Sequence, residues 1–232
     1  MKSFIKLSLT AIAALLFFNA ISVSETKAQN LLPEIYKRME TNRQTLQTLR
    51  SNIKMVKYNA QLGENDLTQG TVIYAPGEKE REVYIRIDWV KPVQEQLSVV
   101  KGTYTIYRPR LGQVIKGKVD KAQNNAKANG AFAFLNMSKE QLKANYTIKY
   151  LGEEKVSSGE ATFHLQLTPK TAKNYKYAEL WVDKDGMPVQ TKVVESNNDA
   201  TTILLFDLKK NTTVEASVFT IIYPKNIKPI DG

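Results

Sequence analysis

The chain offers little to a catalyst. Its 232 residues include a single histidine, His164, and no cysteine. Without cysteine there is no disulfide, thiolate metal site, thiol nucleophile or lipid-modified N-terminal Cys. His164 lies in the run Ala161 to Leu167, where Phe163, Leu165 and Leu167 alternate with it. Side chains two apart share a strand face, so His164 is expected on the surface, opposite those three apolar residues. Asp183-Lys184-Asp185-Gly186 resembles the start of a calcium loop but lacks the third oxygen ligand and the distal Glu. It reads instead as a hairpin turn with Gly186 at positive φ. There is no phosphate-cradling Gly-rich loop, zinc pattern or serine-nucleophile elbow. The expectation is no enzyme, no cofactor and no metal.

What the chain does carry is an apolar set at strand spacing. Trp89, Val99, Tyr104, Ile106, Phe132, Phe134, Leu165, Leu180, Val182, Ile203, Leu205 and Phe219 are the candidates to line one apolar cavity. Alternating apolar residues are as readily ordinary core, and pattern alone leaves that open. The elements that must position them begin with residues 31 to 51. There Leu32, Ile35, Met39, Leu46 and Leu49 form one apolar stripe of an expected helix, with Pro33 in its first turn. Strands are expected at Ile53 to Leu62, Gln69 to Ala75, Glu82 to Trp89, Gln94 to Val100 and Thr103 to Tyr107. Pro76-Gly77 opens a charged hairpin loop ending Glu78-Lys79-Glu80-Arg81. Asp120 to Asn129 reads as helix or loop. Ser138 followed by Gln141 is a capping box, starting a short helix that carries Leu142 inward. Strands resume at Tyr146 to Leu151 and Glu160 to Thr168. A final ribbon runs Leu180 to Gln190, Val193 to Asp199, Thr201 to Leu205 and Phe219 to Pro224.

The N-terminus reads as an export signal. Lys2 and Lys6 precede the apolar run Leu7 to Phe18, and the small residue Ala28 follows Thr26-Lys27. Cleavage is expected after Ala28, giving a signal peptide over 1–28 and one domain over 29–232; an uncleaved anchor is the alternative. Removing Lys2, Lys6, Lys27 and Glu25 lowers the net charge from +10 to +8. The mature chain stays basic with scattered lysines, which suits solubility and also attraction to anionic surfaces. The export signal and the lack of any binding motif argue against nucleic acid.

In this order the parts resemble the LolA-type periplasmic lipoprotein carriers. The resemblance rests on Lys101-Gly102-Thr103-Tyr104-Thr105-Ile106-Tyr107-Arg108-Pro109, on Leu165-Gln166-Leu167-Thr168-Pro169-Lys170, and on Leu180-Trp181-Val182-Asp183 with its Asp185-Gly186 turn. Phe219 and Pro224 complete it. It implies an α+β fold, an open, half-closed antiparallel β-barrel with helices covering a concave apolar face. It also implies a monomeric periplasmic protein that shields the acyl chains of lipoproteins between inner and outer membranes. The implied partners are an inner-membrane ABC-type lipoprotein release complex and an outer-membrane receptor, or the membrane itself. An arginine that holds the lid helices in the family falls on Arg81, counting back from Pro92, although the flanking proline is missing and the hairpin is longer. No further strand is expected after Pro224. Two other readings fit the same fold: a carrier of another amphiphile, such as a phospholipid or glycolipid, and an envelope-stress sensor or binding module.

Overall fold

The computed structural model describes residues 22–77, 82–119 and 134–232, with side chains from residue 31 onward. Arg81, Phe132 and the segment Asp120 to Asn129 lie outside the described residues. The first helix, α1 (Ser22–Thr45), runs into eleven strands and a short helix. These are β1 (Leu49–Asn59), β2 (Glu64–Pro76), β3 (Val83–Lys91), β4 (Glu95–Val100), β5 (Thr103–Arg108), β6 (Gln113–Lys118), the helix α2 (Lys139–Asn145), β7 (Tyr146–Lys155), β8 (Ala161–Pro169), β9 (Tyr175–Asp183), β10 (Pro188–Glu195) and β11 (Ala200–Lys210). A two-residue strand, β12 (Ile230–Asp231), follows.

All twelve strands form one sheet, ordered β12-β6-β5-β4-β3-β2-β1-β11-β10-β9-β8-β7. Two meanders, β1 to β6 and β7 to β11, are joined where β1 pairs antiparallel with β11. Only β12 runs parallel to its neighbour, β6. The sheet does not close, because β12 and β7 are edges. The fold is the open α+β half-barrel that the resemblance implied.

Two corners differ from the sequence reading. The expected helix over 31 to 51 ends at Thr45, and Leu49 opens β1. The chain turns there because Asn211 binds the corner: its Oδ1 accepts from the Gln47 N–H at 2.8 Å, and its own N–H donates to the Thr48 carbonyl at 2.8 Å. Leu46 and Leu49 still reach the same apolar cluster, which is why their spacing imitated a helical stripe. Helix α1 also starts earlier, so Pro33 lies inside it and not in its first turn. The second difference is the tail. Phe219 to Pro224 is not a strand: Ala216–Phe219 is a 3₁₀ turn, and unstranded chain follows. A strand does come after Pro224, the short β12. β6 had no counterpart among the expected strands. The Ser138 capping box forms as read, with Ser138 Oγ accepting the Gln141 N–H and Gln141 Oε1 accepting the Ser138 N–H, and Leu142 is buried.

The register sorts side chains onto two faces. Leu49, Ile53, Met55, Val72, Tyr74, Ile85, Ile87, Trp89, Val99, Tyr104 and Ile106 stand opposite one another along the first meander. Ile203 and Leu205 continue that face across β11. Leu180, Leu165, Ala178 and Leu167 continue it into the second meander. Ile35 and Met39 of α1 pack on Leu165, Leu167, Leu180 and Val182, so this is the inner, helix-covered face. Fully burying each such side chain contributes roughly 1.5–3 kcal/mol.

Candidate functional site

Helix α1 is held over the inner face by the β9–β10 turn. The Asp183 carboxylate accepts the N–H groups of Asp185 at 2.9 Å and Met187 at 2.7 Å, which shapes the turn. Gly186 sits at φ +88°, directly beneath the α1 backbone at Arg38 and Met39. Arg38 Nη1 donates to the Lys184 carbonyl at 2.9 Å, and Lys210 Nζ bridges Asn42 Oδ1 at 3.3 Å and Asp183 Oδ2 at 3.6 Å. The expected hairpin with a positive-φ glycine is thus the seat of the helix, and its carboxylate is occupied by backbone donors. Among the described residues no group of His, Asp and Glu is arranged to hold a metal. Arg81 lies outside the described residues; within them Arg38, like Lys210, ties helix to sheet, and Arg38 is the tie that α1 itself supplies. Sequence reasoning missed it, since it sits on α1 beside Lys37 with nothing local to mark it.

Under α1 the inner face is filled. Phe134 reaches Tyr146 with ring centroids 5.9 Å apart and joins the Leu165, Leu180 and Val182 cluster. Leu135, next in sequence, enters the other cluster with Val99, Tyr104, Ile106, Ile203 and Leu205. Towards the far end of β1 to β5 the face is not filled by any described residue. A cleft of about 590 Å³ opens there, with Met55 and Trp89 at its floor. Its rim is Pro92 and Val93 between β3 and β4, and Arg110 and Leu111 between β5 and β6. Lys57, Thr68, Gln94 and the ion pair Arg108–Glu95 (2.6 Å) line its walls. Leu111 is 69% exposed and Val93 47%, an unusual display of aliphatic surface beside an apolar hollow.

Of the twelve cavity candidates, Trp89 lines this cleft. Val99, Tyr104, Ile106, Leu165, Leu180, Val182, Ile203 and Leu205 are buried on the same inner face, and Phe134 packs onto it. Phe132 lies outside the described residues. Phe219 does not belong with them. It packs against Tyr84 (centroids 5.7 Å) on the outer face, and Ser98 Oγ donates to its carbonyl. The reason is the tail's path: Arg86 Nη1 donates to Thr220 O at 3.2 Å and the Tyr223 ring lies tilted against Tyr107, centroids 6.1 Å apart, so the tail straps the outside of β3 to β5. The rim residues Val93 and Leu111 escaped the sequence reading because they sit in turns, where no alternation points to a face.

His164 stands on the outer face as read, but it is not freely exposed. Its ring stacks on Trp181 at 4.2 Å, with Nδ1 3.0 Å from Glu154 and Nε2 3.5 Å from Glu179. Its side chain is 15% exposed.

Two inner-face tyrosines resist ionisation. Burial pushes Tyr74 up to about 12, a value the Arg43 charge slightly opposes. Burial raises Tyr175 further, helped by its hydrogen bond to Tyr146 at 2.8 Å. A raised tyrosine pKa means the folded state holds its proton more tightly than the unfolded chain. The stabilisation is complete below pH 10 and is lost as the pH rises from 10 through 12. The melting temperature is expected to fall steeply over that window, and Tyr175→Phe combined with Tyr74→Phe to flatten the fall. An equally steep fall in the double variant would rule these residues out as its cause.

The geometry defines a class: a half-barrel whose apolar inner face is roofed by a helix and open at one end, the build of a binding protein. The chain belongs to the family described as outer membrane lipoprotein carrier protein LolA, whose model matches residues 79–222, more than half of the chain. A comparison with curated proteins found no match. Among solved structures, an uncharacterised conserved protein from Thermus thermophilus is similar at 13% identity and TM-score 0.53, covering 87% of this chain and 99% of that one. A chain of the Pseudomonas aeruginosa MucA/MucB complex is similar at 15% identity and TM-score 0.47, covering 81% of this chain and 60% of that one. A LolA superfamily protein from Nitrosomonas europaea has 13% identity and TM-score 0.39, with 82% and 97% covered.

Proposed function

We propose that this chain is a periplasmic carrier, exported with loss of residues 1–28, that binds the acyl chains of lipoproteins on its inner face and ferries them from inner to outer membrane. The observation behind the reading is the open cleft floored by Met55 and Trp89, at the unfilled end of an otherwise packed apolar face in a LolA family member. Each methylene removed from water stabilises the complex by ~0.8 kcal/mol, so a dozen contribute about 10 kcal/mol before ordering costs. No helix among the described residues is long and apolar enough to cross a membrane. Helix α1 acts as the roof, and loosening its seat on the β9–β10 turn extends the cleft under it. In this reading an inner-membrane ABC-type release complex loads the carrier, and an outer-membrane receptor or the membrane itself unloads it. The acyl-shielding role needs no catalytic residue.

The test is native mass spectrometry of the mature protein taken from its own cell envelope. Acylated polypeptide at one per chain is the expected result. Free phospholipid or glycolipid alone replaces the lipoprotein with another amphiphile. Nothing bound, together with no rise in emission from an apolar dye, overturns the carrier.

A further inference from the structure

The cleft has a charge pattern that an acyl chain alone does not explain. Its floor and rim supply an apolar track, Met55, Trp89, Val93 and Leu111. Three cations line the same cavity. Arg108 is neutralised by Glu95 at 2.6 Å and also donates to Gln113 Oε1 at 3.3 Å. Lys57 and Arg110 are exposed and, among the described residues, make no ion pair or hydrogen bond. Asp66 stands across the ladder from Lys57 without forming an ion pair with it. The cleft lining therefore carries two cations that make no ion pair, Arg110 and Lys57, the latter with Asp66 across the ladder, and its only carboxylate among the described residues is the paired Glu95. Scattered surface lysines are ordinary on a basic chain. Two unpaired cations lining the same apolar hollow are a polar end to a greasy slot. The volume, about 590 Å³, lies within the ~300–1,000 Å³ of small-molecule sites.

We infer that the cleft takes a single acyl chain joined to an anionic head, a phosphate or a carboxylate, with the chain on Met55 and Trp89 and the head at the cationic rim to which Lys57 and Arg110 contribute. This rests on the reading of the cleft as a carrier's acyl-chain site and takes up its amphiphile outcome, since the diacylglyceryl anchor of a lipoprotein carries neither phosphate nor carboxylate. Arginine offers a planar fork to either oxyanion, and the lysine adds a mobile point charge. Both cations sit at the water boundary, so the head needs only partial desolvation while the chain is buried.

Calorimetric titration of the purified chain distinguishes the possibilities, using three probes of one chain length: palmitoyl-lysophosphatidylglycerol, palmitate and uncharged monopalmitoylglycerol. The anionic probes are expected to bind at least about tenfold tighter than the uncharged one, as charge-assisted hydrogen bonds imply. The double variant Lys57→Gln/Arg110→Gln is expected to erase that preference, weakening the anionic probes at least about tenfold more than monopalmitoylglycerol. Both positions are exposed, and a melting curve checks the fold. Lys57→Arg is expected to retain the preference, and added salt to weaken it in the parent chain and in Lys57→Arg but to leave the double variant unaffected. Tighter binding of the lysophospholipid than of palmitate assigns the head to phosphate, and the reverse to carboxylate. Equal binding of all three probes overturns the inference while leaving the carrier intact. So does a double variant that loses the charged and uncharged probes equally. Binding of none of the three removes both.

Discussion

Gly186→Ala is expected to unseat helix α1 and cost the protein about 3 kcal/mol, the sum of two effects. At φ +88° an L side chain is strained by ~1 kcal/mol relative to glycine. Beyond that, a Cβ at this position would collide with the Arg38 carbonyl group and the Met39 backbone nitrogen. These are backbone atoms of a packed helix, so relief requires moving α1 as a body, and overpacking of that kind costs roughly 1–3 kcal/mol. Gly63 is the internal control. It also has positive φ, +70°, but nothing lies within 4 Å of a Cβ added there, so Gly63→Ala is expected to cost only the strain. Urea denaturation gives the two stabilities, and hydrogen exchange along α1 shows where the difference falls. Equal costs for the two variants would mean that the turn does not support the helix. Displacement of α1 is further expected to raise binding of an apolar dye, because the cluster of Ile35 and Met39 with Leu165 and Leu180 would open.

Leu180→Ala should cost about 2–5 kcal/mol, the range for emptying a well-packed leucine site. Leu180 is 1% exposed, between Ile35 and Met39 of the roof and Leu165 and Val182 of the sheet. Leu180→Asp adds burial of a carboxylate with no partner, which costs several kcal/mol more and is expected to leave no folded protein. The neighbour Glu179 gives the contrast. One residue away, it lies on the outer face, 3.5 Å from His164 Nε2 and 3.7 Å from Lys192 Nζ. The Glu179 side chain is 13% exposed, and Glu179→Gln keeps its shape and one acceptor oxygen, so it is expected to cost about 1–2 kcal/mol, less than Leu180→Ala. Thermal unfolding of the three variants decides the matter. If Glu179→Gln proved as damaging as Leu180→Ala, the assignment of inner and outer faces to β9 would be wrong.

That contrast also marks how far the sequence reaches. Alternation in β3, with Val83, Ile85, Ile87 and Trp89 against Tyr84, Arg86 and Asp88, placed every side chain on its face, because one period-2 pattern admits one burial solution. The same logic held for Leu165 and Leu180. It failed for Phe219. The spacing from Phe219 to Pro224 imitates a strand, but no ladder remains free there, and Arg86, Ser98 and Tyr107 draw the tail across the outer face instead. Leu49 failed in the opposite direction. Its stripe with Leu46 is helical in sequence, yet the Asn211 corner bends the chain into β1 and returns both to one cluster.

By itself the sequence determined the local properties of this protein. The capping box at Ser138, the glycine turn at Gly186, the apolar face of each long strand and the lack of catalytic motifs follow from neighbouring residues and short-range geometry. The binding cleft was decided only by tertiary structure. Met55, Trp89, Val93, Arg110 and Leu111 come from β1, β3 and two turns, and they meet because β1 to β5 stand side by side in register. Whether an apolar side chain fills a core or lines a cleft depends on what lies above it. Here α1 and the 134–135 segment cover one part of the face and leave the other open, a long-range outcome that no local pattern encodes.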